Sequence, residues 1–151
     1  MSVRVTVQYG TRRPWAPAAA SLRAWALAAL GQQDGAGQLG IRVVSGAEGQ
    51  RLNRKFRGRD RATNVLAFPG WELQSGQHLG DVVICAPVVA REAREQGKPV
   101  RAHWAHLVIH GVLHLLGRTH DRPRAAERME REEAGILSRL GFPDPYEGDR
   151  R

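Results

Sequence analysis

The segment AHWAHLVIHGVLHLLGRTH, residues 102–120, decides how this chain folds. Apart from its histidines, the stretch from Ala102 to Leu116 is strongly apolar, which predicts a long buried helix that ends at Gly117. Five of the chain's six histidines lie in this segment. An apolar helix interrupted only by histidines is therefore the central element of the predicted fold.

Three of these histidines have a spacing typical of metal ligands. His110 and His114 are four residues apart, so their rings project from one face of the helix about one turn apart. Gly117 can adopt the left-handed conformation that ends a helix, so the chain can turn back and present His120 to the same ion. Three protein ligands leave one position for water, which is the arrangement of catalytic rather than structural sites. The spacing predicts one bound metal ion on His110, His114 and His120.

A second arrangement of the same helix is also possible. Spacing alone allows His106 to pair with His110, and only the third ligand separates the two arrangements, because Gly117 directs His120 toward the His114 end. With the metal at that end, we expect His106 to make a hydrogen bond beside the site or in the core.

The residue directly after the first ligand is informative about the reaction. Zinc peptidases with this spacing carry a glutamate there as general base, whereas this chain has Gly111, which cannot relay a proton. A peptidase mechanism of that type is therefore disfavoured. A phosphodiester brings its own anionic oxygens to a metal, so phosphodiester cleavage fits the pattern better.

The remaining pattern predicts a small sheet covered by helices. Strands are predicted at Val3–Val7, Ile41–Val44, Val65–Phe68 and Leu79–Cys85, and the other helices at 17–30, 47–56, 87–96 and from 123 to about 140. Pro69-Gly70 is expected to stop the third strand, and Trp71–Gln77 to form a polar loop. Asp121 is the candidate N-cap of the last helix. Glu133 interrupts the apolar side of that helix, yet its glutamates, Glu133 included, are expected on a solvated face.

Length and composition favour one globular domain, residues 1–151. The single cysteine, Cys85, excludes an internal disulfide framework and suits a reducing compartment. The Ala- and Leu-rich stretch Pro14–Leu30 is interrupted by Arg23 and is too short to span a membrane, so it predicts a surface helix. We expect a soluble, cytoplasmic protein with no membrane partner.

The charge is strongly basic, with 23 Lys and Arg residues against 15 Asp and Glu, which gives a formal net charge of +8. The excess is nearly all arginine, which favours phosphate contacts but also fits a coding bias. Six basic residues lie between positions 51 and 61. We expect this run to contact RNA, with a solvated helix face as the alternative. Its members are Arg51, Arg54, Lys55, Arg57, Arg59 and Arg61.

Several segments together resemble one protein family. With x for positions that do not carry the resemblance, they are His110-Gly-Val-Leu-His-Leu-Leu-Gly-x-x-His120, Ala-His-Trp-Ala-His at 102–106, Leu-Asn-x-x-Phe-Arg-Gly-x-Asp at 52–60, Thr-Asn-Val-Leu-Ala-Phe-Pro at 63–69, Leu-Gly-Asp-Val-Val-Ile-Cys at 79–85 and Leu-Gly-Phe-x-Asp-Pro-Tyr at 140–146. Over roughly residues 40–146 the chain resembles the YbeY family of bacterial endoribonucleases and rRNA maturation factors.

The resemblance implies an α+β, zincin-like domain with a small mixed sheet of about four strands, and one Zn²⁺ per chain on His110, His114 and His120. It implies a metal-dependent endoribonuclease that cleaves single-stranded RNA in the 3′-end maturation of small-subunit (16S) rRNA and in ribosome quality control. The implied partners are the rRNA precursor, the small subunit, ribosomal proteins and an assembly GTPase. The family's functional arginine corresponds to Arg57, a candidate to hold the scissile phosphate.

One departure from the family concerns the turn before the last histidine. Arg118-Thr119 stand where the family usually has Tyr-Asp, so Asp121 is the candidate to orient a ligand imidazole in its place. Two alternatives to the nuclease stay open on sequence grounds: a non-catalytic ribosome-assembly factor stabilised by its metal, and another zinc metallohydrolase or peptidase.

Overall fold

A computed structural model of the chain describes residues 3–31, 37–59, 61–73, 76–118 and 121–147. Within these residues it contains four strands and five helices. In chain order they are β1 (Val3–Tyr9), α1 (Ala19–Leu30), β2 (Gly37–Val44), α2 (Gly46–Arg57), β3 (Val65–Leu73), β4 (Gly76–Cys85), α3 (Ala86–Gln96), α4 (Val100–Leu115) and α5 (Pro123–Arg139).

The strands form one mixed sheet in the order β1-β2-β4-β3. β1, β2 and β4 are parallel, and β3 pairs antiparallel with β4 at the edge of the sheet. The predicted α+β class, with a small mixed sheet of about four strands covered by helices, is confirmed. β2 begins at Gly37, earlier than the predicted Ile41, because β1 supplies a parallel partner from the pair Val3↔Gly37 onward.

The prediction that Pro69-Gly70 stops the third strand is wrong. The polar loop predicted at 71–77 is wrong for residues 71–73, 76 and 77, which lie in β3 and β4, whereas residues 74 and 75 lie outside the described part of the chain. β3 continues through these residues to Leu73 and pairs with β4 as far as Leu73↔Gly76. Proline lacks the N–H that a central strand needs, but an edge strand has one side without a neighbour and tolerates it. The chain therefore forms one long antiparallel pair at the edge next to the histidine helix.

Helix α4 lies at the centre of the molecule. It contacts α1, α3, α5, β3 and β4, and its apolar residues from Trp104 to Leu113 are buried. On β4, Val82 and Ile84 join the core beneath α4, whereas Val83 and Cys85 belong to a smaller cluster on the opposite face, together with Leu52 of α2. The alternation of side chains along a strand produces these two cores.

The sequence correctly predicted the end of α4 at Gly117 but not the residue that caps the start of α5. Gly117 has φ +91°, the N–H of Arg118 donates to Leu113 O at 3.0 Å, and the N–H of Gly117 donates to His114 O at 3.0 Å, which together form a Schellman motif. The prediction of Asp121 as N-cap is wrong, because α5 starts at Pro123 and its N-cap is Arg122, with no side-chain cap bond.

Among the described residues, no helix is long and apolar enough to cross a bilayer.

Candidate metal centre

The structure brings two of the three predicted ligands together. On α4, the Nε2 atoms of His110 and His114 lie 3.0 Å apart. Two nitrogens that each lie 2.0–2.1 Å from one tetrahedral zinc ion would be roughly 3.3 Å apart, so this pair nearly has the required separation. His120, the third predicted ligand, lies outside the described residues. The donor set and the spacing of His110 and His114 therefore fit a zinc ion.

A buried carboxylate binds the ring nitrogen of His110 that does not face His114. Glu133 of α5 is completely buried, and its Oε2 lies 2.8 Å from Nδ1 of His110. A nitrogen facing a carboxylate at this distance carries the proton, so Nδ1 is the donor and Nε2 is the nitrogen left to offer its lone pair to a metal ion. That is the tautomer that a metal ligand needs, and a carboxylate on the far nitrogen is the usual partner of a metal-binding histidine.

The other oxygen of Glu133 is equally well bound. Nε2 of His106 lies 2.7 Å from Oε1, and the hydroxyl of Tyr146 donates to the same oxygen. Burial by itself would raise the pKa of Glu133, but the hydrogen bonds from His106, His110 and Tyr146 outweigh it and hold this pKa at about 2. Burial, and then the charge of Glu133, raise the pKa of the Tyr146 hydroxyl. Glu133 is therefore an anion and Tyr146 a neutral donor throughout the neutral range.

Sequence reasoning missed Glu133. The expectation of a solvated position is wrong, since its side chain is 0% exposed. The signal was present in the helix pattern, because Glu133 stands on the side of α5 whose buried members are Met129, Ile136 and Leu137. A carboxylate in an apolar stripe must have buried donors, and the histidines of α4 supply them.

His106, His110 and Glu133 form a group that could hold a metal ion, because each offers a ligand atom within 4.8 Å of the others. The distances from the carboxylate oxygens to the two rings are nevertheless those of charge-assisted hydrogen bonds. His106 lies directly behind His110 along the helix and shares the same carboxylate. Its position corresponds to the hydrogen-bonding role considered for it in the sequence.

His110 and His114 open into a cleft of about 970 Å³, here called the first cleft. The lining of this cleft also includes three of the six basic residues of the predicted RNA-binding run, Arg57, Arg59 and Arg61. The guanidinium of Arg57 donates to Ala67 O of β3 at 3.4 Å. Asp121, the candidate partner for a ligand imidazole, also lines this cleft. The other basic residues are exposed on α2 outside the lining, and they are Arg51, Arg54 and Lys55.

Gly111 is required by the packing of α4 on the sheet. A Cβ atom at this position would lie 2.7 Å from Cγ1 of Val82 and 3.3 Å from Cγ2 of Val65. The glutamate of a zinc peptidase therefore has no room at this position. The absence of a general base there follows from the close approach of helix and strand.

Comparisons with known proteins show the family to which this chain belongs. The family model described as Endoribonuclease YbeY matches residues 15–141. The chain is 53% identical to the Endoribonuclease YbeY of Stenotrophomonas maltophilia, over 97% of this chain and 94% of that protein. It is 50% identical to the Endoribonuclease YbeY of Nitrosococcus oceani, over 97% and 99% of the two chains.

A solved structure has the same fold. The solution structure of TM1509 from Thermotoga maritima superposes with a TM-score of 0.59 at 24% identity, and the match covers 93% of this chain and 92% of that one. The family model, which matches residues 15–141, and the two relatives together show the family of this chain. It belongs to the YbeY endoribonuclease family.

Proposed function

We propose that this chain is a metal-dependent endoribonuclease that cleaves single-stranded RNA, with Zn²⁺ bound by His110, His114 and His120. The observation that carries the proposal is the 3.0 Å approach of the two Nε2 atoms at a cleft whose lining also includes three arginines. A metal-binding pair and three cations that line one cleft suit a substrate that presents phosphates. The relatives named Endoribonuclease YbeY support the same activity.

When bound, the zinc ion would supply Lewis-acid activation of a phosphoryl oxygen and acidify a water molecule. The residues of the chain supply position and charge. Glu133 keeps the proton of His110 on Nδ1 and so presents Nε2 to the ion. Arg57 binds the scissile phosphate and stabilises the charge that develops on it.

The arginines that line the first cleft guide the RNA strand. Arg59 and Arg61 bind neighbouring phosphates in the first cleft, and Arg51, Arg54 and Lys55 extend the basic surface along α2. A cleft of this size admits a flexible single strand whose unstacked bases can turn outward.

The biological substrate in this proposal is the precursor of small-subunit (16S) rRNA at its 3′ end, with a further role in ribosome quality control. Ribosomal proteins and an assembly GTPase are its protein partners, and the enzyme acts in the cytoplasm as one domain spanning residues 1–151. Membership of the YbeY family supports this assignment.

The test combines metal analysis with RNA cleavage. Wild type should carry about one zinc ion per chain and cleave a labelled single-stranded RNA in a metal-dependent manner. His114→Ala should lose both the metal and the cleavage. Arg57→Ala should keep the metal and lose most of the cleavage, whereas Arg128→Ala, which removes an exposed arginine of α5 away from the cleft, should behave as wild type.

All variants are purified in parallel, so that a contaminating ribonuclease would appear equally in each. Full cleavage by His114→Ala would contradict the proposal. Binding of rRNA precursor without metal-dependent cleavage would instead establish the non-catalytic assembly factor.

A further inference from the structure

A second cleft of about 660 Å³ lies on the other side of His110. The two clefts share Asn64, Val65 and His110, so they meet beside the candidate metal centre. The second cleft lies between the start of β3, the end of α3, the first turns of α4 and the segment around Tyr146. An RNA strand held across His110 would therefore extend from one cleft into the other.

The two clefts differ in chemistry. The first presents three arginines, whereas Lys98 is the one lysine or arginine among the described residues that line the second. The second cleft adds to the shared Asn64 the amide of Gln96 and the imidazole and phenol rings of His103, His106 and Tyr146, none of which line the first cleft. Amides pair with the edges of nucleobases, and aromatic rings stack on their faces. Two carboxylates disfavour a bound phosphate in this cleft through their negative charge: Glu92 lines the cleft, and Glu133 contacts His106 of the lining.

The polar wall of the second cleft is already ordered. One oxygen of Glu92, Oε1, accepts a hydrogen bond from Nδ2 of Asn64 at 3.0 Å and lies 2.9 Å from Nε2 of His103. His103 is 4% exposed, and within the described part of the chain its Nδ1 atom is buried without a hydrogen-bond partner. Bonds from Asn64, which directly precedes β3, and from His103 of α4 to one carboxylate on α3 thus fix this side of the cleft before any ligand arrives, which lowers the entropy cost of binding.

We propose that the second cleft binds the nucleobase of the nucleotide next to the scissile phosphate, an inference that rests on the proposed nuclease function. The arginines of the first cleft then hold phosphates on one side of His110, and the amides and rings of the second cleft receive one base on the other side. Gln96 supplies an exposed amide that can pair with a base edge. This site would give the enzyme a base preference at one position only.

Nuclear magnetic resonance of the ¹⁵N-labelled, zinc-loaded protein tests the inference without requiring cleavage. Each of the four ribonucleoside 5′-monophosphates is titrated, with ribose 5-phosphate as the ligand that lacks a base. At least one nucleotide should shift the resonances of Gln96, Lys98 and Tyr146, and ribose 5-phosphate should shift only those around Arg57 and Arg59. Identical shifts from ribose 5-phosphate and all four nucleotides would overturn the inference.

A pair of variants sharpens the test. Gln96→Ala should raise the Kd of the preferred nucleotide about 2- to 10-fold, the usual effect of one lost hydrogen bond, and leave the Kd of ribose 5-phosphate unchanged. Arg94→Ala, on the same helix and outside both linings, should change neither. An equal effect of Gln96→Ala on both ligands, or none on either, would contradict base binding.

The two proposals can fail separately. Base-dependent shifts in a protein that does not cleave RNA would refute the nuclease alone. Metal-dependent cleavage without base-dependent shifts would refute the second-cleft assignment alone.

Discussion

Replacing Glu133 by glutamine tests how the metal site is built. The carboxylate accepts bonds on Oε1 from His106 and Tyr146 and on Oε2 from His110. An amide has only one oxygen, and it keeps more hydrogen bonds by placing that oxygen at the Oε1 position. Its NH₂ group then faces Nδ1 of His110 at about the present 2.8 Å, so that two donors oppose each other.

His110 can relieve this conflict by moving its proton from Nδ1 to Nε2. The proton then occupies the nitrogen that lies 3.0 Å from Nε2 of His114, which is where the metal should bind. Loss of a hydrogen-bonding partner behind a ligand typically lowers metal affinity 10- to 100-fold. For Glu133→Gln this corresponds to about 1.4–2.7 kcal/mol of zinc-binding free energy.

Zinc affinity is measured by competition with a fluorescent chelator, and circular dichroism checks that the variant is folded. Glu127→Gln is the matched control, because it removes the same charge from an exposed position of α5. A folded Glu133→Gln protein whose zinc Kd lies within twofold of both wild type and the control would refute the orienting role of Glu133.

Three further predictions concern the surroundings of the site. Gly111→Ala should lower the free energy of unfolding by about 1–3 kcal/mol in urea titrations, because the new Cβ would lie 2.7 Å from Cγ1 of Val82. Gly135→Ala is the control and should be neutral or stabilising, because its Cβ would meet nothing closer than 4.0 Å. Equal effects of the two substitutions would contradict the packing argument. Tyr146→Phe should lower the free energy of unfolding by about 1–3 kcal/mol, because Glu133 loses a buried donor, and an unchanged urea midpoint would argue against that bond. Burial lowers the pKa of His103; Glu92 of α3 opposes this shift, and His106 and Lys98 add to it. Because the pKa is lower in the folded protein, the unfolded chain binds more protons at this histidine than the folded one. The free energy of unfolding should therefore fall as the pH drops below about 6.5. His103→Gln should lose less stability than wild type between pH 7.5 and 5.5 in the same titrations, and parallel pH profiles would rule this origin out.

The fold was largely readable from local patterns. The apolar histidine helix, the turn at Gly117 and the alternating or apolar strands are each determined by residues close together in sequence. The end of β3 was not, because whether Pro69 ends a strand depends on whether that strand lies at an edge. That position is set by pairing with β4 and by the sheet order, which no local pattern contains.

The candidate site was readable only in part. The i,i+4 histidines follow from helix geometry, and the run of arginines is visible as charge. Glu133 is separated from His110 by 23 residues, and their contact exists only because α5 packs against α4. The burial of an acidic side chain depends on such a tertiary contact. The charge pattern of α5 alone therefore led to the wrong prediction that Glu133 is exposed to solvent.

Anomalous diffraction at the zinc edge, from crystals of the zinc-loaded protein, tests the central claim most directly. We expect one peak per chain, about 2.0–2.1 Å from Nε2 of both His110 and His114, with the ring of His120 completing the site. A peak between His106 and Glu133, or no ordered zinc near His114, would contradict the account.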